Sequence, residues 1–282
     1  MLQYTVLDVA KRPFVIYKDS MTNQICLDPR QGPCRKKAMI ISLPHAGVHM
    51  VQKIFESLGL YHVRVKHDKN ILNDYRFLSD DDRIKVAQNN VSYVFPISES
   101  YKWIIDGQVT HNHLRYDDMT YTTLRDSDMM VYLLKRDLRN CVVSHAKQKQ
   151  KENMLITTEH NKILDMYIMS PYYNELIETI KMQMSWFENK TFDTLSFEPL
   201  SGSCGKDIQY QSIIKLLDDL EITESYDYGN IGLDNIIKKS IGVKTFSFSG
   251  ENSNWVKYWS PLVEKWYEDT GLKCMNEKLG YS

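Results

Sequence analysis

The sequence has no Cys-x-x-Cys pair, almost no net charge, no long apolar run and no GxxxxGK(S/T) phosphate loop, and each absence excludes something. The five cysteines (Cys26, Cys34, Cys141, Cys204 and Cys274) are odd in number and scattered, which fits a reduced protein without structural disulfides or a zinc ribbon. With 35 basic against 36 acidic residues, no overall positive field invites nucleic acid, and any anion must be held by local groups. The opening stretch MLQYTVLDVAKRPF lacks an apolar core of leader or anchor length, so the expectation is a cytoplasmic protein with no membrane partner. Missing GK(S/T) argues against a nucleotide kinase. Internal repeats and low-complexity tracts are absent too. What remains is 282 residues of ordinary globular composition, 43% hydrophobic and 25% charged, enough for one large α/β domain or two small ones.

What is present is an alternation of short β-rich runs with helical spacing. Residues 39–43 form an apolar run that reads as a buried strand and breaks at Pro44. After Gly47, apolar residues at Met50, Val51, Ile54, Phe55 and Leu58 follow helical spacing. Residues 91–98, 129–136 and 192–198 are further short β-rich runs, while a helix is expected from Leu138 and another over QSIIKLLDDLEI. Residues 147–184 read as helices that cap a pocket. Residues 1–37 read as a small β-rich appendage, with YTVLDV and PFVIYKD alternating as strands, and 38–282 as the main domain. Strands alternating with helices predict an α/β fold, doubly wound and P-loop-like, with a mainly parallel central sheet flanked by helices. Ligands of such sheets bind outside the carboxyl ends of the strands. Four stretches fall on that rim: the loop after Leu43, the segment near His111, the turn at Arg136 and the loop after Phe197.

Each stretch carries polar chemistry, and each has a plainer explanation. A strand feeding Pro44-His45-Ala46-Gly47-Val48-His49 and then a helix aims backbone N–H groups at an anion, or is an ordinary turn with two surface histidines. In YLLKRDLRNCVVSH, Asp137 caps a helix, and Arg136 with Ser144, eight residues on, can grip one phosphate from two sides. The alternative is surface pairing of Arg136 and Arg139 with Asp137 or Asp128. In THNHLRYDD, His111 and His113 share a face if extended, and either can act as a general base or as a structural residue. Gly250, Asn252, Ser253 and Asn254 make a polar loop before aromatic-rich sequence.

Taken in order, these segments resemble the cytosolic sulfotransferases, enzymes that use 3′-phosphoadenosine 5′-phosphosulfate (PAPS). The family's phosphosulfate loop, strand–P–(K/R)–S–G–(T/S)–x–helix, is matched by Leu43-Pro44-His45-Ala46-Gly47-Val48-His49-Met50. Its arginine–serine pair is matched by Arg136 and Ser144, its HLPY segment by His113-Leu114-Arg115-Tyr116, and its YEDL segment by Phe197-Glu198-Pro199-Leu200. The late RKGxxGDW loop resembles FSGENSNW, and the tail KWYEDTGLKCMNEKLGY resembles the closing helix. The chain departs from the pattern at His45, Ala46 and Val48, at Phe197, and at Phe248-Ser249 in place of the arginine–lysine pair.

The resemblance implies transfer of a sulfuryl group from PAPS to a hydroxyl or amine of a small-molecule acceptor, releasing 3′-phosphoadenosine 5′-phosphate (PAP). No metal is required, because the transferred group carries less negative charge than a phosphoryl group. It implies that residues 45–50 (His45, Ala46, Gly47, Val48, His49 and Met50) hold the 5′-phosphosulfate, with His45 in the place of a lysine. Arg136 and Ser144 would read the 3′-phosphate, with Ser249 and Gly250 adding to that contact and Lys244 a substitute cation. Phe197 and Trp186 would pack near the adenine, the plain core reading being favoured for Trp186. His113 is the expected base and His111 its competitor. Tyr167, Met169, Tyr172, Tyr173 and Met184 either line an acceptor pocket or form a core stripe. Asp106, Asp117 and Asp118 suit a cationic acceptor, and the family includes natural-product enzymes acting on saxitoxin-like guanidinium alkaloids. Two other readings compete. One is a non-catalytic relative that binds the nucleotide. The other is a zinc-dependent hydrolase gathering His45, His49, His111 and His113.

Overall fold

The computed structural model describes residues 15–18, 25–26, 31–65, 97–155, 162–222, 232–241 and 255–282. A five-stranded sheet runs in the order β4-β6-β3-β7-β8, formed by β3 (Ala38–Ser42), β4 (Tyr61–His62), β6 (Gln108–Asn112), β7 (Met130–Lys135) and β8 (Asp193–Ser196). Every pairing in it is parallel, with Ile40 level with His111 on one side and Tyr132 on the other. A second, three-stranded sheet places β1 (Val15–Lys18) between β2 (Ile25–Cys26) and β5 (Arg64–Val65), antiparallel to the first and parallel to the second.

The central strands are buried on both faces, as helix-covered parallel strands are. Ala38 and Ile40 of β3, with Tyr132 and Leu134 of β7, join the larger core cluster. Their neighbours Met39, Ile41, Val131 and Leu133 join a second cluster with Ile97, Leu114, Leu124 and Trp186 on the opposite face. On the first face lies α1 (Val48–Ser57), which buries Val48, Val51, Ile54 and Phe55 at helical spacing. The helices α4 (Leu138–Lys151), α5 (Ile163–Ile168) and α6 (Pro171–Lys181) bury residues in the same cluster. The turn after α6 leads into α7 (Met184–Glu188), which carries Trp186 to the second face.

Several expectations shift. The run 91–98 ends in helix, since Ile97–Ser100 (α2) is helical, while 91–96 lie outside the described residues. The run 192–198 stops as a strand at Ser196, and Phe197–Ser201 (α8) turns into helix at once. The tail is two helices, α11 (Pro261–Asp269) and α12 (Leu272–Lys278), broken where Gly271 takes φ 80°. Of the proposed pocket residues, Tyr167, Tyr173 and Met184 belong to the core, while Met169 is 72% exposed. YTVLDV, Lys244, Phe248, Ser249 and Gly250 lie outside the described residues. Between these elements come α3 (Asp118–Arg125), α9 (Lys206–Asp219) and α10 (Leu233–Ser240).

Candidate functional site

Because the five strands are parallel, Ser42, Asn112, Lys135 and Ser196 all end at one edge, and β3 has β6 on one side and β7 on the other. A crevice at such a strand reversal is the usual ligand position of an open α/β sheet. The loop leaving β3 is built for close approach. His45 sits at φ 59° and Gly47 at φ 88°, both left-handed. Only glycine takes that conformation without steric cost, so His45 holds about 1–2 kcal/mol of backbone strain. At Gly47 a Cβ would also meet the Phe197 ring at 2.3 Å. Helix α1 then begins on Gly47 with no side-chain cap and no acidic residue in its first turn. Its first N–H groups and its positive dipole end therefore face the loop, an arrangement that favours an anion.

Arg136 follows β7 and closes the loop from the side. Its Nη1 donates to the His45 carbonyl at 3.2 Å, and its guanidinium lies over the Phe197 ring at 4.0 Å. The side chain is 6% exposed, and its Nε is buried without a partner. Burial pulls its pKa below the ordinary arginine value, the nearby carboxylates opposing. Those carboxylates are engaged elsewhere. Asp137 caps α4 through the Arg139 N–H, pairs with the Arg139 guanidinium at 2.7 Å and accepts from Asn276. Glu198 accepts from the Asp137 N–H at 3.0 Å and from the Tyr281 hydroxyl at 2.6 Å. Among the described residues Arg136 has no carboxylate partner, so a buried cation sits at the loop with donor capacity to spare. Phosphate or sulfate oxygens would satisfy it. Ser144, two turns into α4, brings Oγ to 3.5 Å from His45 Nδ1.

His113, just past β6, is 5% exposed and has Nδ1 at 2.7 Å from the Ser42 carbonyl. A carbonyl only accepts, so Nδ1 carries the hydrogen and Nε2 is the basic nitrogen. The segment is held from the opposite face: Gln183 donates to the Ser42 and Leu114 carbonyls, and Trp186 Nε1 donates to Leu114. That use of Trp186 is a core role, with the ring fully buried. His111 faces the other way. Its Nδ1 lies 2.9 Å from His62 Nε2 of β4, and His49 meets its ring edge-on at 5.5 Å.

The structure thus brings His45, Gly47, Arg136, Ser144 and Phe197 together around the loop and sets His113 on the neighbouring strand end. His45, His49, His111 and His113 do not converge as a metal cage would require. They divide among a His45–His145 stack, a His49–His111–His62 group and the His113–Ser42 bond. Among the described residues no group of three or more His, Cys, Asp or Glu side chains could hold a metal ion. Asp117 caps α3, accepting from the Thr120 N–H and hydroxyl, and Asp106 and Asp118 are exposed. No described helix is long and apolar enough to cross a membrane. Sequence reasoning missed His62 and His145 and gave Tyr167 only as a pocket or core-stripe residue, because the pairings His62–His111, His45–His145 and His145–Tyr167 are too distant in sequence to carry a local signal.

No protein-family model matches the sequence, and no curated protein matches it by sequence. Solved structures do. A mouse sulfotransferase, SULT7A1, complexed with PAP is 12% identical and aligns over 89% of this chain and 91% of its own, with a TM-score of 0.53. The chain has the sulfotransferase fold. Retinol dehydratase, solved with androsterone and inactive cofactor PAP, is a weaker likeness at 16% identity, covering 86% and 82%, with a TM-score of 0.45. The sulfotransferase domain of the Synechococcus PCC 7002 olefin synthase, at 11% identity and a TM-score of 0.35 over 90% and 97%, is weaker again. At these identities the sulfotransferase fold is what is shared, and the chemistry has to be argued from this chain's own residues.

Proposed function

We propose that this protein is a PAPS-dependent sulfotransferase that moves a sulfuryl group to a hydroxyl or amine of a small-molecule acceptor and releases PAP. The observation that carries the reading is Arg136. A buried guanidinium without a carboxylate partner among the described residues touches the carbonyl of a left-handed loop residue, beside an uncapped helix start. Those residues fit the anionic groups of the donor. The donor supplies the activated sulfuryl group and a phosphate leaving group.

The chain's own residues have distinct tasks. N–H groups around Gly47 would hold the 5′-phosphosulfate, and His45 would stand against it as a cation. Arg136 and Ser144 would read the 3′-phosphate, Arg136 leaving part of its contact with Phe197 to do so. Ser249 and Gly250 are proposed to add to that contact. His113, with Nε2 as its basic nitrogen, takes the acceptor proton as the new bond to sulfur forms. His111, bonded to His62, is the poorer candidate. Catalysis of this kind rests on positioning and charge stabilisation more than on covalent participation. A soluble cytoplasmic setting, and 1–37 as an appendage to the 38–282 domain, belong to the same proposal. A small cationic acceptor, including an alkaloid natural product, remains its finest-grained part, motivated by Asp106 and Asp118 near the base segment.

Calorimetric titration of metal-stripped protein with PAP, against ADP, tests the donor site. PAP is expected to bind about 10- to 150-fold tighter, since one hydrogen-bonded charged contact contributes roughly 1.5–3 kcal/mol. Arg136→Gln is expected to bring the two ligands together. Equal binding by the parent protein sinks the 3′-phosphate assignment. Transfer of label from PAPS to any member of an acceptor panel then separates an enzyme from a nucleotide-binding relative.

A further inference from the structure

His45 adopts a left-handed backbone in a loop, so no helix or strand of its own fixes the direction of its ring. The ring is instead packed from α4, which α5 supports from behind. His145 of α4 stacks on it, with centroids 4.7 Å apart and planes at 29°. His145 is buried, and its Nδ1 lies 2.6 Å from the hydroxyl of Tyr167 of α5, which is itself fully buried. Tyr167 in turn donates to the Tyr172 carbonyl at 3.3 Å. Burial holds the Tyr167 hydroxyl well above its ordinary pKa, which keeps it a neutral phenol through the working range. The order from core to loop is therefore Tyr172 carbonyl, Tyr167 hydroxyl, His145 imidazole, His45 imidazole.

Resting on the sulfotransferase reading, we propose that His145 and Tyr167 are positioning residues that orient the His45 ring over the phosphate loop. A loop imidazole left to rotate would lose entropy each time it met an anion, and would meet it in the right direction only part of the time. A ring already stacked and held arrives pre-organised. The arrangement also fits the departure of this loop from a lysine. A flexible ammonium needs no orienting surface, whereas a planar ring with two distinct nitrogens does. Neither His145 nor Tyr167 needs to touch the donor for this role.

A double-mutant cycle separates positioning from plain packing. The dissociation constant for PAP is measured in the parent protein, His45→Ala, His145→Ala and the double variant. His145→Ala is expected to weaken binding about 3- to 10-fold in the parent, in the range of one net hydrogen bond, and to add nothing once His45 is absent. Equal weakening in both backgrounds would mean that His145 only supports the fold, and overturns the proposal. Tyr167→Phe keeps the ring volume and removes one hydroxyl, so it serves where His145→Ala fails to fold. A second readout needs no donor. With the histidines isotope-labelled, the imidazole nitrogen resonances of His45 in the ligand-free protein are expected to move in Tyr167→Phe. If they stay fixed, the orienting chain does not exist. Should PAP fail to bind the parent protein at all, the functional reading has failed, and the resonances still decide whether His145 and Tyr167 set the His45 ring.

Discussion

At Arg136 the physics is one of an incomplete pairing. A guanidinium buried to 6% exposure, with one hydrogen bond to a carbonyl among the described residues and an aromatic face beneath it, is a poor final state for a charge. The same residue becomes favourable once an anion arrives, and such sites are where function departs from stability. His113 and His111 show how little sequence can say about direction. Two residues apart, they are equivalent as text, yet one ring is held by the Ser42 carbonyl and the other by His62. His113→Ala is expected to lower the single-turnover transfer rate about 10²–10⁴-fold and His111→Ala far less. The reverse ordering would assign the base to His111. Gly47 offers a test of the loop itself. Gly47→Ala places a methyl 2.3 Å from the Phe197 ring at φ 88°, whereas Gly271→Ala meets nothing within 4 Å at φ 80°. Both should lose roughly 1–2 kcal/mol to left-handed strain, with Gly47→Ala losing more and binding PAP poorly. Equal denaturation midpoints would show that Phe197 yields freely.

At the scale of elements, the helix that carries Ser144 was legible because its cap, Asp137, and its apolar spacing are local signals. What holds that helix start in place was not legible. Asn276 of α12 accepts from the Leu138 N–H at 2.7 Å and donates to Asp137, and Tyr281 donates to Glu198. These are contacts across more than eighty residues, and no periodicity encodes them. They tie the tail to the β7–α4 junction from which Arg136 projects. The tail's break at Gly271 went unread because WYEDTGLKCMNE keeps enough helical character on both sides to look continuous. Asn276→Ala leaves a buried N–H without an acceptor, and should cost about 1–3 kcal/mol in urea unfolding with an unchanged slope. It should also loosen PAP binding, since the junction shifts. A loss of stability with unaltered PAP affinity would confine the tail to a folding role.

For the whole molecule, the parallel sheet and its rim followed from alternating short apolar runs and helices, because a doubly wound sheet is the usual burial solution for that pattern. The four rim stretches do meet at one edge. Strand order could not be read, since β6 and β7 flank β3 through connections whose lengths fit several topologies. The small β4 and β5 strands, of two residues each, fall below what any pattern shows. This architecture makes a global prediction. The rim residues come from β3, β6, β7, α1 and α4, so a ligand held there ties together elements that must separate on unfolding. At a PAP concentration a hundredfold above its dissociation constant, the folded state should gain about 2.7 kcal/mol by mass action. For a domain of this size that corresponds to a rise of several degrees in Tm. ADP at the same concentration should raise it less, and the difference should vanish in Arg136→Gln. A PAP shift that survives in Arg136→Gln would place the ligand away from the rim, and no shift in the parent protein would leave a sulfotransferase fold without its donor site.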